Sequence, residues 1–269
     1  MKVKVVIIIV LAVLVICIIA FFGNGFLQNR MLFDAIDAND YDSACIAIKN
    51  GAFLEMPRHL IAIPEIVMTN PTPLILACKE GNKSIIALLL ESGADINQTD
   101  NCTDETPLLA ALQGSKQNRF SLASFLIENG ADIHMVQQGA DSVLQNALLI
   151  YDQDSEETIA EGFLLFQYLM EQDVDKAIQV PWESTLTYAV HYRNYNAVRY
   201  LLENGHFAVD EPDPNGNTAL IIAAKYNRLD IAQLLLGLGA SKSCTDNTGK
   251  TAYDHAIENG YTKMAQLLF

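Results

Sequence analysis

Thr72-Pro73-Leu74-Ile75-Leu76-Ala77-Cys78-Lys79-Glu80-Gly81 and then Leu88-Leu89-Leu90-Glu91-Ser92-Gly93-Ala94-Asp95-Ile96-Asn97 spell out a short helix, a turn, a second helix and an extended tail. Thr72 can cap the first helix through its hydroxyl, and Pro73 is tolerated next because the first helical turn has no use for its missing N–H. Gly81 marks the turn, and Gly93 closes the second helix where a left-handed backbone is usual. Nearly the same text returns at Thr218-Ala219-Leu220-Ile221-Ile222-Ala223-Ala224 with Leu234-Leu235-Leu236-Gly237-Leu238-Gly239-Ala240 behind it. In both copies the opening Thr and the closing Gly stand 21 positions apart.

Weaker copies fill the rest of the chain. Thr106-Pro107-Leu108-Leu109 opens one that ends at Gly130-Ala131-Asp132-Ile133-His134, with a turn lengthened around Ser115 to Asn118. Ser142-Val143-Leu144-Gln145 opens a degenerate copy whose second helix has Leu164, Leu165, Tyr168 and Leu169. Its two helices flank an acidic insertion, Asp152-Gln153-Asp154-Ser155-Glu156-Glu157, read as a solvated loop. That loop lacks the sixth-position Gly and twelfth-position Glu of a calcium loop. Ser184-Thr185-Leu186-Thr187 and Thr251-Ala252-Tyr253-Asp254 open two more copies, and Arg30 to Gly51 reads as an entry copy without the tetrapeptide. Leu74, Leu108, Leu186 and Leu220 belong in the seam between helices, which Ala77, Ala110, Ala111, Ala189, Ala223 and Ala224 keep thin.

The pattern resembles the ankyrin repeat, a unit of about 33 residues opened by a Thr-Pro-Leu-His-like tetrapeptide. The resemblance covers residues 30–269 as about seven units, starting near 30, 72, 106, 142, 184, 218 and 251. It implies an all-α solenoid of helix-turn-helix units with loop or hairpin fingers. The family's His is replaced throughout, by Ile75, Leu109, Gln145, Thr187, Ile221 and Asp254, which removes the side chain of its usual bonds between repeats but leaves the fold. Extra residues between Gly51 and Thr72 leave as an apolar finger (52–71) that includes Pro57, His59, Leu60, Ile61, Ile63, Pro64, Ile66 and Val67. It either folds back on the repeats or meets a partner.

Ahead of the repeats, Val5 to Phe22 is an unbroken apolar run of 18 residues, followed by a linker at 24–29. A membrane-spanning helix needs roughly 17–25 such residues, against about 7–15 for the core of a signal peptide. Residues 1–23 are therefore expected to form one N-terminal transmembrane helix, with cleavage near Gly23-Asn24-Gly25 as the alternative. Lys2 and Lys4 favour a cytoplasmic N-terminus, placing the repeats across the membrane, in a bacterial periplasm or a eukaryotic lumen.

The chain of 269 residues has a formal charge of −15, which argues against nucleic acid and suits a basic protein partner. Five cysteines without paired short spacing give neither a zinc pattern nor a disulfide framework. The five histidines are scattered, and neither a nucleophile elbow nor a phosphate-cradling Gly loop is present. No enzyme activity, cofactor, metal or small-molecule substrate is expected. The resemblance implies protein binding on a concave face made by loop tips and first helices. The eighth and ninth positions of the repeats fall on that face: Lys79-Glu80, Gln113-Gly114, His191-Tyr192, Lys225-Tyr226 and Glu258-Asn259. Binding is expected from Lys79, Glu80, His191, Tyr192, Lys225 and Tyr226. The acidic loop residues Asp100, Asp104, Glu105, Asp210 and Asp213 are expected at solvent-facing tips, where they would steer association. Two function classes stay open: a tethered module that binds or inhibits a protein outside the cytoplasm, as immunity or stress-accessory proteins do, and a scaffold within a membrane assembly.

Overall fold

The computed structural model describes residues 23–58, 71–100, 102–114, 118–135, 142–149, 154–172 and 184–269. These form helix pairs: α1 (23–38) with α2 (Tyr41–Lys49), α3 (Pro73–Glu80) with α4 (Lys83–Glu91), and α5 (Pro107–Gln113) with α6 (Arg119–Glu128). There follow α7 (Val143–Leu148) with α8 (Glu156–Glu171), and α9 (Thr185–His191) with α10 (Tyr195–Glu203). The last are α11 (Ala219–Lys225) with α12 (Leu229–Gly237), and α13 (Ala252–Glu258) with α14 (Thr262–Leu268). Among the described residues there is no strand, only an isolated bridge between Thr245 and Thr251. The chain divides into two units, one ending at Asp132 and one running from Ile133 to Phe269.

From α3 onward every first helix starts as the sequence leads one to expect. The hydroxyls of Thr72, Thr106, Ser142, Ser184, Thr218 and Thr251 accept from the backbone N–H three residues on. Where the family's His is replaced by a polar residue, that residue reaches back to the cap. Gln145 Oε1, Thr187 Oγ1 and Asp254 Oδ2 accept from the N–H of Ser142, Ser184 and Thr251 at 3.0, 2.8 and 2.9 Å. Such a reciprocal cap satisfies two N–H groups that a helix start leaves unpaired. The apolar replacements Ile75, Leu109 and Ile221 are buried.

The bonds between repeats come instead from the start of the second helices. Asn82 donates to the Ile36 carbonyl at 2.8 Å and Asn118 to Gly81 at 3.3 Å in the first unit. In the second unit Asn194 donates to Leu148 at 3.1 Å, and Arg228 grips the His191 carbonyl through two nitrogens at 2.8 and 3.2 Å. Each acceptor lies near the end of a first helix, where carbonyls have no partner within the helix. A second set joins the tails: Glu55 accepts from the N–H of Asp95, Asn97 from Asp132 and Asp210 from Ser241. In each unit first helices pack on first helices, with the Ala positions 77, 110, 111, 189, 223 and 224 buried. At the degenerate pair α7/α8 the packing of α7 on α9 is joined by an aromatic contact, since Phe163 and Phe166 meet Tyr200 edge-on to link α8 to α10.

Two expectations change. Residues 24–29 are no linker but the first turns of α1. Gly25 lies under the Phe53 ring, where any side chain would collide, and Asn24 donates to the Asn50 carbonyl at 3.0 Å. Second, Glu156 and Glu157 are not loop residues but the opening turn of α8, capped by Ser155. Acidic side chains are favoured there by the positive end of the helix dipole. The apolar run 5–22, most of the finger (59–70), Ser115 and Asp152-Gln153 all lie outside the described residues. Among the described residues no helix is long and apolar enough to cross a membrane.

Candidate functional site

α9 and α11 are short helices whose apolar positions are consumed by the seam, so each must end its buried course within two turns. Tyr192 and Tyr226 follow as their C-caps, at the same place in successive repeats. There the rings leave the core, and Tyr192 stays 36% exposed and Tyr226 40% exposed. His191 lies between them, stacked on Tyr226 with ring centroids 4.0 Å apart and on Tyr192 at 4.7 Å, both at 20°. Below Tyr192 the ring of Tyr188 lies at 4.6 Å, and Tyr188 itself is buried. The grip of Arg228 on the His191 carbonyl fixes the backbone beneath the stack. Arg193 and Asp230 pair beside it at 3.5 Å, both well exposed.

His191, Tyr192 and Tyr226 thus come together as one aromatic stripe. Their sequence positions pointed to this. Tyr188 and Arg228, which hold the stripe in place, carried no such signal: one reads as a core ring and the other as a solvated charge.

The charged candidates behave differently. Lys79 Nζ lies 2.6 Å from Glu105 Oε2, and Lys225 Nζ lies 3.3 Å from Asp246 Oδ2. The two lysines hold equivalent positions in their repeats, and each ties a first helix to the loop that follows. Glu80 is half-buried beside Lys79. Lys79 and Lys225 are therefore engaged in ion pairs inside the chain.

Asp100, Glu105 and Asp213 are likewise not solvent-facing tips but buried. Asp100 Oδ1 accepts from the N–H of Thr103 at 2.7 Å and of Cys102 at 3.2 Å; Asp213 Oδ1 accepts from Asn217 at 2.8 Å and Asn215 at 2.9 Å. Such loops fold back on the carboxylate, which stands in for backbone acceptors that the turn lacks. Burial raises the pKa of Glu105, and the neighbouring Lys79 ammonium opposes that shift. Asp104 is exposed with a left-handed backbone, and Asp210 is half-buried.

No chemistry gathers at either place. Among the described residues no group of three or more His, Cys, Asp or Glu is placed to hold a metal ion. The described cysteines are free thiols, and burial, with Glu105 nearby, pushes the Cys78 thiol far above its ordinary range. A neutral, buried thiol is a poor nucleophile.

A family model described as ankyrin repeats (3 copies) matches residues 32–137 and 158–246. Among solved structures, the crystal structure of the human ASB11 ankyrin repeat domain is similar, with a TM-score of 0.65 and 23% sequence identity. That match covers 88% of this chain and 97% of the other, and it speaks to the fold alone.

Proposed function

The chain belongs to the ankyrin-repeat family, and on that premise we propose that it captures another protein on the aromatic stripe His191, Tyr192 and Tyr226. Ankyrin repeats are a protein–protein interaction scaffold, and the reading here is of a non-enzymatic binding module. The observation that carries it is the stacking of one histidine between two half-exposed tyrosines from successive repeats. Rings held in this way lose little freedom on binding, and aromatic anchors dominate many interfaces. The charge of −15 favours a basic partner. Residues 5–22 tether the module to a membrane, with the N-terminus cytoplasmic and the repeats on the far side, in a bacterial periplasm. Binding there serves to hold or inhibit the partner, as immunity to a toxin or stress tolerance would require.

The test is photo-crosslinking from positions 192 and 226 in the native cell, followed by titration of the captured protein. Tyr192→Ala and Tyr226→Ala should each weaken binding by about 1–2 kcal/mol or more. Wild-type affinity in both variants, with unchanged circular dichroism, would move the site elsewhere. Capture that disappears only when residues 1–22 are exchanged for an unrelated anchor would favour a scaffold built on the membrane segment.

A further inference from the structure

The exposed side of α1 changes character along its length. Its first turns present Phe26, Leu27, Arg30 and Met31 on one face, and Leu27 is 57% exposed. The next turns of the same face present Asp34, Asp37 and Ala38. The opposite face, with Gln28, Asn29, Leu32, Phe33, Ala35 and Ile36, is buried in the repeats. An apolar and cationic end therefore gives way to an acidic end, and the apolar end is the one that joins the run 5–22.

We propose that the Phe26, Leu27, Arg30 and Met31 face of α1 meets the headgroup layer of a lipid bilayer, with Phe26 and Leu27 in it and Arg30 and Met31 reaching it from the outer side. This rests on the reading of residues 5–22 as a membrane tether. The length of that run decides the depth. Eighteen helical residues would span about 27 Å at 1.5 Å each, close to a hydrocarbon core of about 30 Å. The polar layer beyond it is about 5–8 Å thick on each side. Leu27, five residues on, stands about 8 Å past the run along a helix. Arg30 and Met31 stand about 12–14 Å past it. Arg30 approaches Asp34 at 4.0 Å in the unbound chain, and because helical side chains tilt toward the N-terminus both long side chains can swing back toward a membrane. Arg30 can then place its guanidinium at the phosphates while its stem covers apolar surface. Asp34 and Asp37 lie beyond that reach, where an anionic surface would repel them less.

The test uses the full-length chain in vesicles of phosphatidylcholine and phosphatidylglycerol, with Trp182→Phe as the background. Tryptophan is introduced singly by Leu27→Trp, Met31→Trp or Ala38→Trp, all at exposed positions, with circular dichroism as the folding control. Vesicle flotation reports the tether, and quenching by lipids brominated high on their acyl chains reports the face. The expected result is flotation of all three variants. Emission from position 27 should be blue-shifted and largely quenched, with weaker quenching at 31 and none at 38. Flotation with water-like, unquenched emission at 27 overturns the face and leaves the tether standing. Blue-shifted but unquenched emission at 27 also overturns it, assigning the face to a second copy or a partner protein. Failure to float overturns the tether and the face with it.

Discussion

Asp246 offers the sharpest perturbation of the second unit, because one buried carboxylate holds several groups from two repeats. Its Oδ1 accepts from the N–H of Thr248 at 2.9 Å, the Thr248 hydroxyl at 2.6 Å and the N–H of Lys250 at 3.2 Å. Its Oδ2 meets His255 Nε2 at 2.8 Å and Lys225 Nζ at 3.3 Å. A net 1.5–3 kcal/mol for each of the four hydrogen bonds other than that to Lys225 would sum to about 6–12 kcal/mol, too large for a single carboxylate. Burial itself opposes the charged form and is the largest influence on this group, yet the hydrogen bonds together outweigh it and hold the carboxyl far below its usual range. Loss of one member of a buried charged cluster typically costs about 3–5 kcal/mol, and that is the expected effect of Asp246→Ala. Asp246→Asn keeps an acceptor for both backbone N–H groups and should cost about 1–3 kcal/mol.

A repeat array transmits such a loss mainly to its neighbours. Amide hydrogen exchange is therefore the assay. Asp246→Ala should speed the opening of α13 and α14 by about 100-fold or more while α9 and α10 keep their protection. The pH dependence has a definite sign. A carboxylate depressed in the folded state stabilises fully above about pH 5 and loses that contribution as the pH falls through its ordinary value and below. The difference between wild type and Asp246→Ala should thus shrink on acidification. Equal protection of α13 and α14 in both proteins at neutral pH would refute the reasoning, as would a loss spread evenly over the unit.

Other outcomes follow from the same geometry. Ala223 is fully buried between helices, so Ala223→Leu should overpack the seam and destabilise by about 1–3 kcal/mol in urea unfolding. Asn194 both caps α10 and satisfies the Leu148 carbonyl; Asn194→Ala should cost about 1–3 kcal/mol in the same assay. Protease added to spheroplasts of a bacterial host should digest the repeats while an N-terminal cytoplasmic tag survives; full protection of the repeats would reverse the proposed orientation.

Much of the fold was legible because it rests on local chemistry. Each capping Thr or Ser needs only its own helix, and the glycines at 93, 130, 205 and 239 adopt the positive φ that a side chain resists. The Leu and Ala seam follows from repeated spacing. Residues 24–29 were misread because Gly23-Asn24-Gly25 looks like a break, and only the Phe53 ring above Gly25 explains a glycine within the helix. The loop carboxylates were misread for a related reason. Asp100, Asp104, Asp210 and Asp213 look alike in the chain. Whether a loop folds around its carboxylate depends on the backbone conformation that aims the N–H groups two to five residues on at it, which the residue type alone does not give. The tyrosine stripe was legible in position but not in mechanism, since stacking through His191 requires two repeats to be in register.

That register bears on why the stripe is a surface rather than misplaced core. A buried ring would be expected to lie in the seam, as Phe120 and Phe166 do, with neighbours on all sides. Tyr192 and Tyr226 instead stand at helix ends, where the chain turns away and the seam residues have stopped. Both rings stack on His191, and the backbone of His191 is held by Arg228 from the next repeat. The stack is thus fixed by bonds across the repeat boundary while a substantial part of each ring faces water. Aromatic area kept exposed and still is poor economy for folding alone, since covering it would add to the hydrophobic gain. It is well matched to recognition, where the ordering of side chains is a main cost of association. The nearby lysine Lys225, neutralised by Asp246, does not repel a basic partner. On the proposed reading, ring area supplies affinity while the acidity of the whole chain sets the rate of encounter with a basic partner.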